Sequence, residues 1–188
     1  MKIILASQSP RRKELLALAD ISFDVIVKET DETYPENLSS EEIAIHIAVN
    51  KGKAVKVLHG DDLPILSADT IVVHQNKIIG KPKDRLHAIE ILSNLSGQKH
   101  LVITGVCILY KGNELCFSDT TEVTFHHLSQ EQISFYVDTF KPFDKAGAYA
   151  IQEWIGLVGI KSINGDFYNV MGLPVSNVIK ALHQLNCL

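Results

Sequence analysis

Residues 3–16, IILASQSPRRKELL, decide how the chain is read. Ile3–Ala6 reads as a buried β-strand and Ser7-Gln8-Ser9 as a small polar turn. A helix follows, with Pro10, Arg11 and Arg12 in its first turn and Leu15, Leu16 and Ala19 on its apolar face. Ser9 suits the N-cap, and Pro10 suits the first helical position, where a missing N–H costs nothing. A strand-to-helix turn leaves backbone N–H groups unpaired at the positive end of the helix dipole, which favours a bound anion. The chain holds three arginines, Arg11, Arg12 and Arg85, and two of them are adjacent on this turn. A guanidinium is suited to a two-pronged grip on phosphate oxygens. The stretch lacks both the Gly-x-Gly-x-x-Gly pattern and the Walker loop, so the familiar nucleotide folds are not indicated.

At 188 residues and 46% hydrophobic, the chain is long enough to bury a full core as a single domain over residues 1–188. A net charge of −4 argues against wholesale attraction to nucleic acid, so any polyanion site is a local basic patch for a small ligand. Three cysteines, Cys107, Cys116 and Cys187, with no CxxC, read as packing residues of a reduced, cytoplasmic protein. The eight histidines show no zinc-binding spacing. His126 and His127 would point to opposite faces of a strand. No apolar run approaches a membrane span, and no secretory leader pattern is expected.

Further along, Phe23–Val27 alternates like a strand and enters the acidic loop KETDETYPEN. Ser39 and Glu42 form a capping box for a helix over about 40–58, with Ile43, Ile47, Ala48, Val55 and Leu58 as its buried stripe. LPILSADTIVVH is apolar enough for a central strand, paired through a turn at Gln75-Asn76 with Lys77–Gly80. Asp84 caps a helix to about 95. Residues 99–126 read as a long hairpin turning at Lys111-Gly112-Asn113. Ser129 and Gln132 cap a helix to Phe140. LVGIKSI, an Asn164-Gly165 turn and FYNVM read as a second hairpin, and Pro174 opens a last helix. The expected fold is α/β: a mixed, twisted sheet with flanking helices in two lobes around a cleft.

The cations that could hold phosphate are Arg11, Arg12, Lys51, Lys81 and Lys145; the carboxylates are Asp31, Glu32, Asp69, Asp84 and Asp144. For Asp84 and Asp144 a surface cap or charge is the favoured reading. Asp69 is the exception, because it lies inside an apolar strand, where an ionised carboxylate is costly unless paired or metal-bound. Carboxylates and lysines without Cys or His suit Mg²⁺ held by oxygen donors and substrate phosphates. A serine hydrolase reading through Ser7 or Ser9 lacks the GxSxG elbow.

Taken together, LASQSPRRKELL (5–16), TDE (30–32), KGKAV (51–55), SADTIV (67–72), GKPKD (80–84), LSGQKH (95–100), DKAGAYAIQ (144–152) and INGDFYNVMGLP (163–174) resemble the Maf family of nucleoside triphosphate pyrophosphatases over nearly the whole chain. The resemblance implies a fold like that of the inosine triphosphate pyrophosphatases and a cytoplasmic homodimer. It also implies cleavage of a nucleoside triphosphate to monophosphate and pyrophosphate with a divalent cation, Mg²⁺ or Mn²⁺. Carried over, the proton acceptor is Asp69, the metal ligands are Glu32 and Asp69, and the substrate-binding residues are Ser9, Arg12, Lys51 and Lys81. Arg11, Thr70 and Gln152 match the branch acting on dTTP and UTP; a sister branch resembling 7-methyl-GTP enzymes has other residues there. The chain departs from the usual GAYGIQG in reading GAYAIQE, which sets Glu153 beside Gln152. The implied partners are a nucleotide and a second copy of the chain, with no membrane and no stable nucleic-acid complex. The rival reading is a nucleotide-binding regulator of septum formation that uses the same pocket without turnover. A third keeps the chemistry and changes the base.

Overall fold

In the computed structural model, which describes residues 2–187, strand and helix alternate along the chain. Strand β1 (Lys2–Leu5) leads into α1 (Pro10–Leu18), β2 (Ser22–Val25) and the long α2 (Ser40–His59). Strands β3 (Ile65–His74) and β4 (Lys77–Ile79) precede α3 (Arg85–Leu95), and β5 (Lys99–Tyr110) and β6 (Asn113–Phe125) precede α4 (Gln130–Phe140). After a short 3-10 turn at Ala146–Ala148 come α5 (Trp154–Gly159), β7 (Ile160–Asn164), α6 (Phe167–Met171) and α7 (Val175–Gln184). The seven strands form one mixed sheet in the order β2-β1-β3-β5-β6-β7, with β4 on β3. β1 is parallel to both β2 and β3, whereas β3–β4 and β6–β7 are antiparallel.

The chain divides into two compact units, each assembled from separate stretches: residues 1–70, 104–119 and 172–188, and residues 71–103 and 120–171. In the first, α2 starts at the expected capping box, where Ser39 Oγ accepts from Glu42 N and the Glu42 carboxylate accepts from Ser39 N. Its buried face is Ile43, Ala44, Ile47, Ala48, Gly52 and Val55. Leu58, expected on the stripe, is exposed in the last turn before the Gly60 cap; the buried face ends at Val55. Ala48 and Val55 pack on Ile4 of β1, Ala6 just after it, Ile65 of β3, and Cys107 and Leu109 of β5.

In the second unit the sequence reading misassigns FYNVM and the start of LVGIKSI. FYNVM is the helix α6, so β7 does not continue into a hairpin and pairs instead with β6. Asp166 Oδ1 accepts from Tyr168 N at 2.7 Å and starts the helical turn, and the Asn169 amide donates to Val102 O and Thr121 Oγ1 at 3.0 Å each. These side-chain bonds outweigh the weak strand preference of five residues. Leu157-Val158 likewise belong to α5 and not to a strand.

Candidate active site

The first turn of α1 is built around Arg12. This guanidinium is buried, and each of its nitrogens donates to a neutral oxygen: Nε to Gly172 O at 2.8 Å, Nη1 to Ser7 Oγ at 3.0 Å and Nη2 to Thr70 Oγ1 at 3.0 Å. Burial lowers its pKa from the ordinary arginine value, and the negative charge of Asp69 acts the other way. Arginine stays charged under such a shift, so the site holds a cation that is oriented without being cancelled. Gly172 suits its place because φ there is +117°, a conformation that side chains resist. Thr70 is held in turn by Thr104, hydroxyl to hydroxyl at 2.9 Å.

Ser9 stands at the N-cap as expected, but its side chain makes no capping bond. Its N–H instead donates to Ser7 Oγ at 3.2 Å, so Ser7 organises the turn and receives Arg12 as well. The sequence marks Ser7 only as part of the polar turn, not as its organiser. The residue lies two positions before the N-cap, where an ST-type turn back onto the chain is common. Arg11, next to Arg12, is half-buried on the same turn.

A second cation sits on α2. Lys51 Nζ lies 2.6 Å from Asp69 Oδ1 and 2.7 Å from Glu32 Oε1, so two of the expected carboxylates converge on one ammonium. The placement depends on Gly52, whose missing side chain lets α2 approach β3: a Cβ there would stand 2.7 Å from Ser67 Oγ. Ser67 Oγ donates to Ala48 O at 2.7 Å and also lies 3.2 Å from Cys107 O, tying the helix to the sheet. Ser67 and Asp69 lie on one face of β3, two residues apart, so the contact that seats the helix also sets Lys51 over Asp69. Glu32 and Asp69 offer hard oxygen donors that already converge on a positive charge, a donor set that fits Mg²⁺ or Mn²⁺.

Ser9, Arg12, Glu32, Lys51, Asp69, Thr70 and Arg11 all belong to the first unit. Lys81 and Gln152 belong to the second, where both are exposed. The two segments that carry them are joined by a bond from Gly147 N to Gly80 O at 3.3 Å. Asp84 is the N-cap of α3 and accepts from His87 N at 2.9 Å, which agrees with its favoured reading as a cap. Asp31 accepts from Thr33 N in the acidic loop.

Lys145, considered above as a phosphate cation, is nearly buried, and its Nζ lies 2.8 Å from Asp144 Oδ1 and 3.5 Å from Glu153 Oε1. Tyr136 OH donates to the other oxygen of Glu153 and accepts from Ala150 N at 3.2 Å. Glu153 is therefore not a loose charge beside Gln152. It is the anchor of residues 145–153, fixed by a buried tyrosine of α4 and by Lys145. No local motif announces this network, because the last turn of α4, a loop and the 3-10 turn separate Tyr136 from Glu153.

No helix among the described residues is long and apolar enough to cross a membrane. Residues 2–185 match the sequence model of a family described as "Maf-like protein". A "dTTP/UTP pyrophosphatase" of Bacteroides fragilis (strain YCH46) is 47% identical over 187 residues, covering 98% of this chain and 96% of the relative. One of the same description from Cytophaga hutchinsonii is 51% identical over 183 residues, covering 97% and 84%. Among solved structures, the Staphylococcus aureus Ham1 protein superposes with a TM-score of 0.52 at 16% identity, covering 99% of this chain and 100% of that one. That likeness concerns the fold.

Proposed function

The chain belongs to the Maf-like family, and from that premise we propose that it is a nucleoside triphosphate pyrophosphatase that cleaves dTTP and UTP to the monophosphate and pyrophosphate. The observation that carries this reading is the pair of carboxylates, Glu32 and Asp69, converging on Lys51 in the unit that also holds Arg12. A protein that only binds phosphate gains nothing from two carboxylates directed at an anionic ligand, whereas hydrolysis needs a group to orient water.

In the proposed reaction, water attacks the α-phosphorus, the bond to the bridging oxygen of the β-phosphate breaks, and pyrophosphate leaves. Asp69 orients the water and accepts its proton; carboxylates are weak bases near neutrality, so orientation is the larger part of its role. Arg12 has five N–H groups and gives three to Ser7, Thr70 and Gly172, which leaves two for phosphate oxygens. Lys51 moves charge between its carboxylates and the triphosphate. Charge stabilisers already in place before the reaction are among the strongest contributors to such a step. Glu32 and Asp69 would hold a divalent cation, which when bound neutralises phosphate charge and makes water more acidic.

Ser9 and Lys81 are assigned to substrate binding, and Arg11, Thr70 and Gln152 to the choice of base. The Gln152 amide offers one donor and one acceptor, matching a carbonyl and the ring N–H of uracil or thymine; cytosine reverses both. Mismatched buried polar groups discriminate strongly where a methyl group does not. A homodimer acting in the cytoplasm, without nucleic-acid or membrane partners, completes the reading. The test is pyrophosphate release by the purified chain across dTTP, UTP, CTP, ATP and GTP. Similar kcat/KM for dTTP and UTP, well above the others, is expected. Equal values for UTP and CTP would overturn the base assignment, and no release from any substrate would overturn the activity.

A further inference from the structure

The β5–β6 hairpin carries a pair of thiols outside the site described above. Its turn is Lys111-Gly112, with φ of 47° and 79°, the two positive values of a type I′ two-residue connection. Such a turn sets Tyr110 opposite Asn113, and the same register sets Cys107 opposite Cys116. Bonded and non-bonded pairs alternate away from the turn, so the third pair beyond Tyr110–Asn113 is a non-hydrogen-bonded one, with side chains close together. The side chains bear this out: the donor atoms of Cys107, Cys116 and Glu114 all lie within 4.8 Å of one another. Directly opposed residues of this kind have Cα atoms about 4.5 Å apart, at the near end of the ~4.4–6.8 Å range that a disulfide spans.

The two sulfurs differ in setting. Cys107 is fully buried under α2, in the cluster with Ala48, Val55 and Leu109, whereas Cys116 is half-exposed. The contact with Cys116, together with burial, raises the pKa of the Cys107 thiol, and the same contact lowers that of Cys116. Glu114 Oε1 lies 3.9 Å from Cys116 Sγ, and Lys53 Nζ lies 3.0 Å from the other oxygen of the same carboxylate. This ammonium already supplies the positive charge that a metal ion would bring, which disfavours a thiolate metal site here and favours thiol chemistry.

We propose that Cys116 and Cys107 form a reversible cross-strand disulfide, Cys116 being the sulfur that meets the oxidant and Cys107 the one that resolves it. With a hydroperoxide as oxidant, the Cys116 thiolate attacks a peroxide oxygen and the O–O bond breaks. Cys116 becomes a sulfenic acid, and the departing oxygen leaves as water or an alcohol after taking a proton. Cys107 sulfur then attacks the Cys116 sulfur, the S–O bond breaks, and a second water leaves with the Cys107 proton. Two thiols lose two electrons and two protons, and the peroxide is reduced; a dithiol reductant reverses the bond.

The test is stoichiometric hydrogen peroxide on the fully reduced chain, read by thiol titration and a non-reducing tryptic map. The titre should fall from three thiols to one and return with dithiothreitol. Trypsin cuts after Lys111, between the two cysteines, so only a Cys107–Cys116 bond keeps those peptides together. Limiting iodoacetamide on the native reduced protein should label Cys116 ahead of Cys107 and Cys187; this readout needs no variant. Cys187→Ser should leave the bond unaffected. An unchanged titre, a bond between two chains, sulfinic acid at Cys116 with Cys107 still free, or Cys107 labelled first would each overturn the proposal.

Discussion

Gly52→Ala tests the contact that seats α2 on β3 and holds Lys51 over Asp69. The new methyl would stand 2.7 Å from Ser67 Oγ and 3.4 Å from Leu109 Cδ1. The first distance is too short to keep, and Ser67 Oγ is not free to swing, because it donates to Ala48 O at 2.7 Å and lies 3.2 Å from Cys107 O. Helix propensity favours alanine by about 0.8–1.0 kcal/mol. Overpacking costs roughly 1–3 kcal/mol, and losing the Ser67 bonding costs about 1–3 kcal/mol more as a buried hydroxyl is left without a partner. The net expectation is destabilisation of about 1–5 kcal/mol. In a chain of this size each ~1 kcal/mol lowers Tm by roughly 2–4 °C. A helix displaced by about 1 Å also loosens the Lys51–Asp69 contact, and misplacement of that order can lower turnover by about 10²-fold. The assay pairs calorimetric Tm with pyrophosphate release. Gly52→Ala/Ser67→Ala removes the obstructing oxygen and should recover much of both losses, a coupling read by a double-mutant cycle. A Gly52→Ala protein with raised Tm and unchanged kcat would refute the reasoning, since only propensity would then be at work.

The other predictions concern the site and the second unit. Asp69→Asn should lower kcat by about 10²–10⁴ while the fold persists; near-parental turnover would remove Asp69 from its role. Excess chelator should abolish pyrophosphate release and Mg²⁺ or Mn²⁺ should restore it, and full activity in chelator would exclude Glu32 and Asp69 as ligands of a needed cation. Glu153→Gln should weaken the hold of Tyr136 and Lys145 on residues 145–153 and narrow the preference for UTP over CTP; an unchanged ratio with an unchanged Tm would show that Gln152 does not depend on this anchor. Burial holds the pKa of His100 down at about 3 in the folded chain, against an ordinary 6.5. The unfolded chain therefore binds the extra proton below pH 6.5, and stability should fall by up to about 1.4 kcal/mol per pH unit as pH drops from there toward 3. His100→Gln should flatten the acid side of the Tm profile, and a profile parallel to the parent would clear His100 of this role.

The elements that the sequence predicts well are those whose signals are local. Ser39 with Glu42 and Ser129 with Gln132 are capping boxes four residues long, and both appear at the start of the helices they announce. The tight turn at Gln75-Asn76 appears where expected, and the one expected at Lys111-Gly112-Asn113 closes on Lys111-Gly112, each with a residue, Asn76 or Gly112, that tolerates its positive φ. Errors arise where the deciding partner is distant. FYNVM is held helical in part by Asn169 bonding to Val102 and Thr121, tens of residues away, and Leu58, on the apolar stripe by spacing, is exposed in the last turn of its helix. The site follows the same rule. Arg12, Lys51 and Asp69 stand out as residue types in unusual places, but Tyr136 and Thr104 become visible only when folding brings them to Glu153 and Thr70. The register that pairs Cys107 with Cys116 follows from the two-residue turn of the structure; the sequence reading, with Asn113 included in the turn and no CxxC to notice, passes over it.

The two cations of the first unit are held in opposite ways, and the difference fits a cycle of binding and release. Arg12 is surrounded by a carbonyl and two hydroxyls, so its orientation is fixed in the free protein and its charge is not paired by contact with an acid. An anion arriving there requires no bond to be broken. Lys51 is the reverse: its ammonium is committed to Glu32 and Asp69 at 2.7 and 2.6 Å, and a triphosphate must compete for it. As phosphate oxygens draw Lys51 away, the two carboxylates lose their counter-charge and are freed to hold a cation and to orient a water. Substrate charge would then ready Asp69 only when a triphosphate is present. Lys51→Arg keeps the charge but replaces a mobile point donor with a rigid fork. It should preserve substrate binding better than turnover, so kcat should fall more than KM rises. A rise in KM alone would mean that Lys51 only binds, and that the handover of charge does not occur.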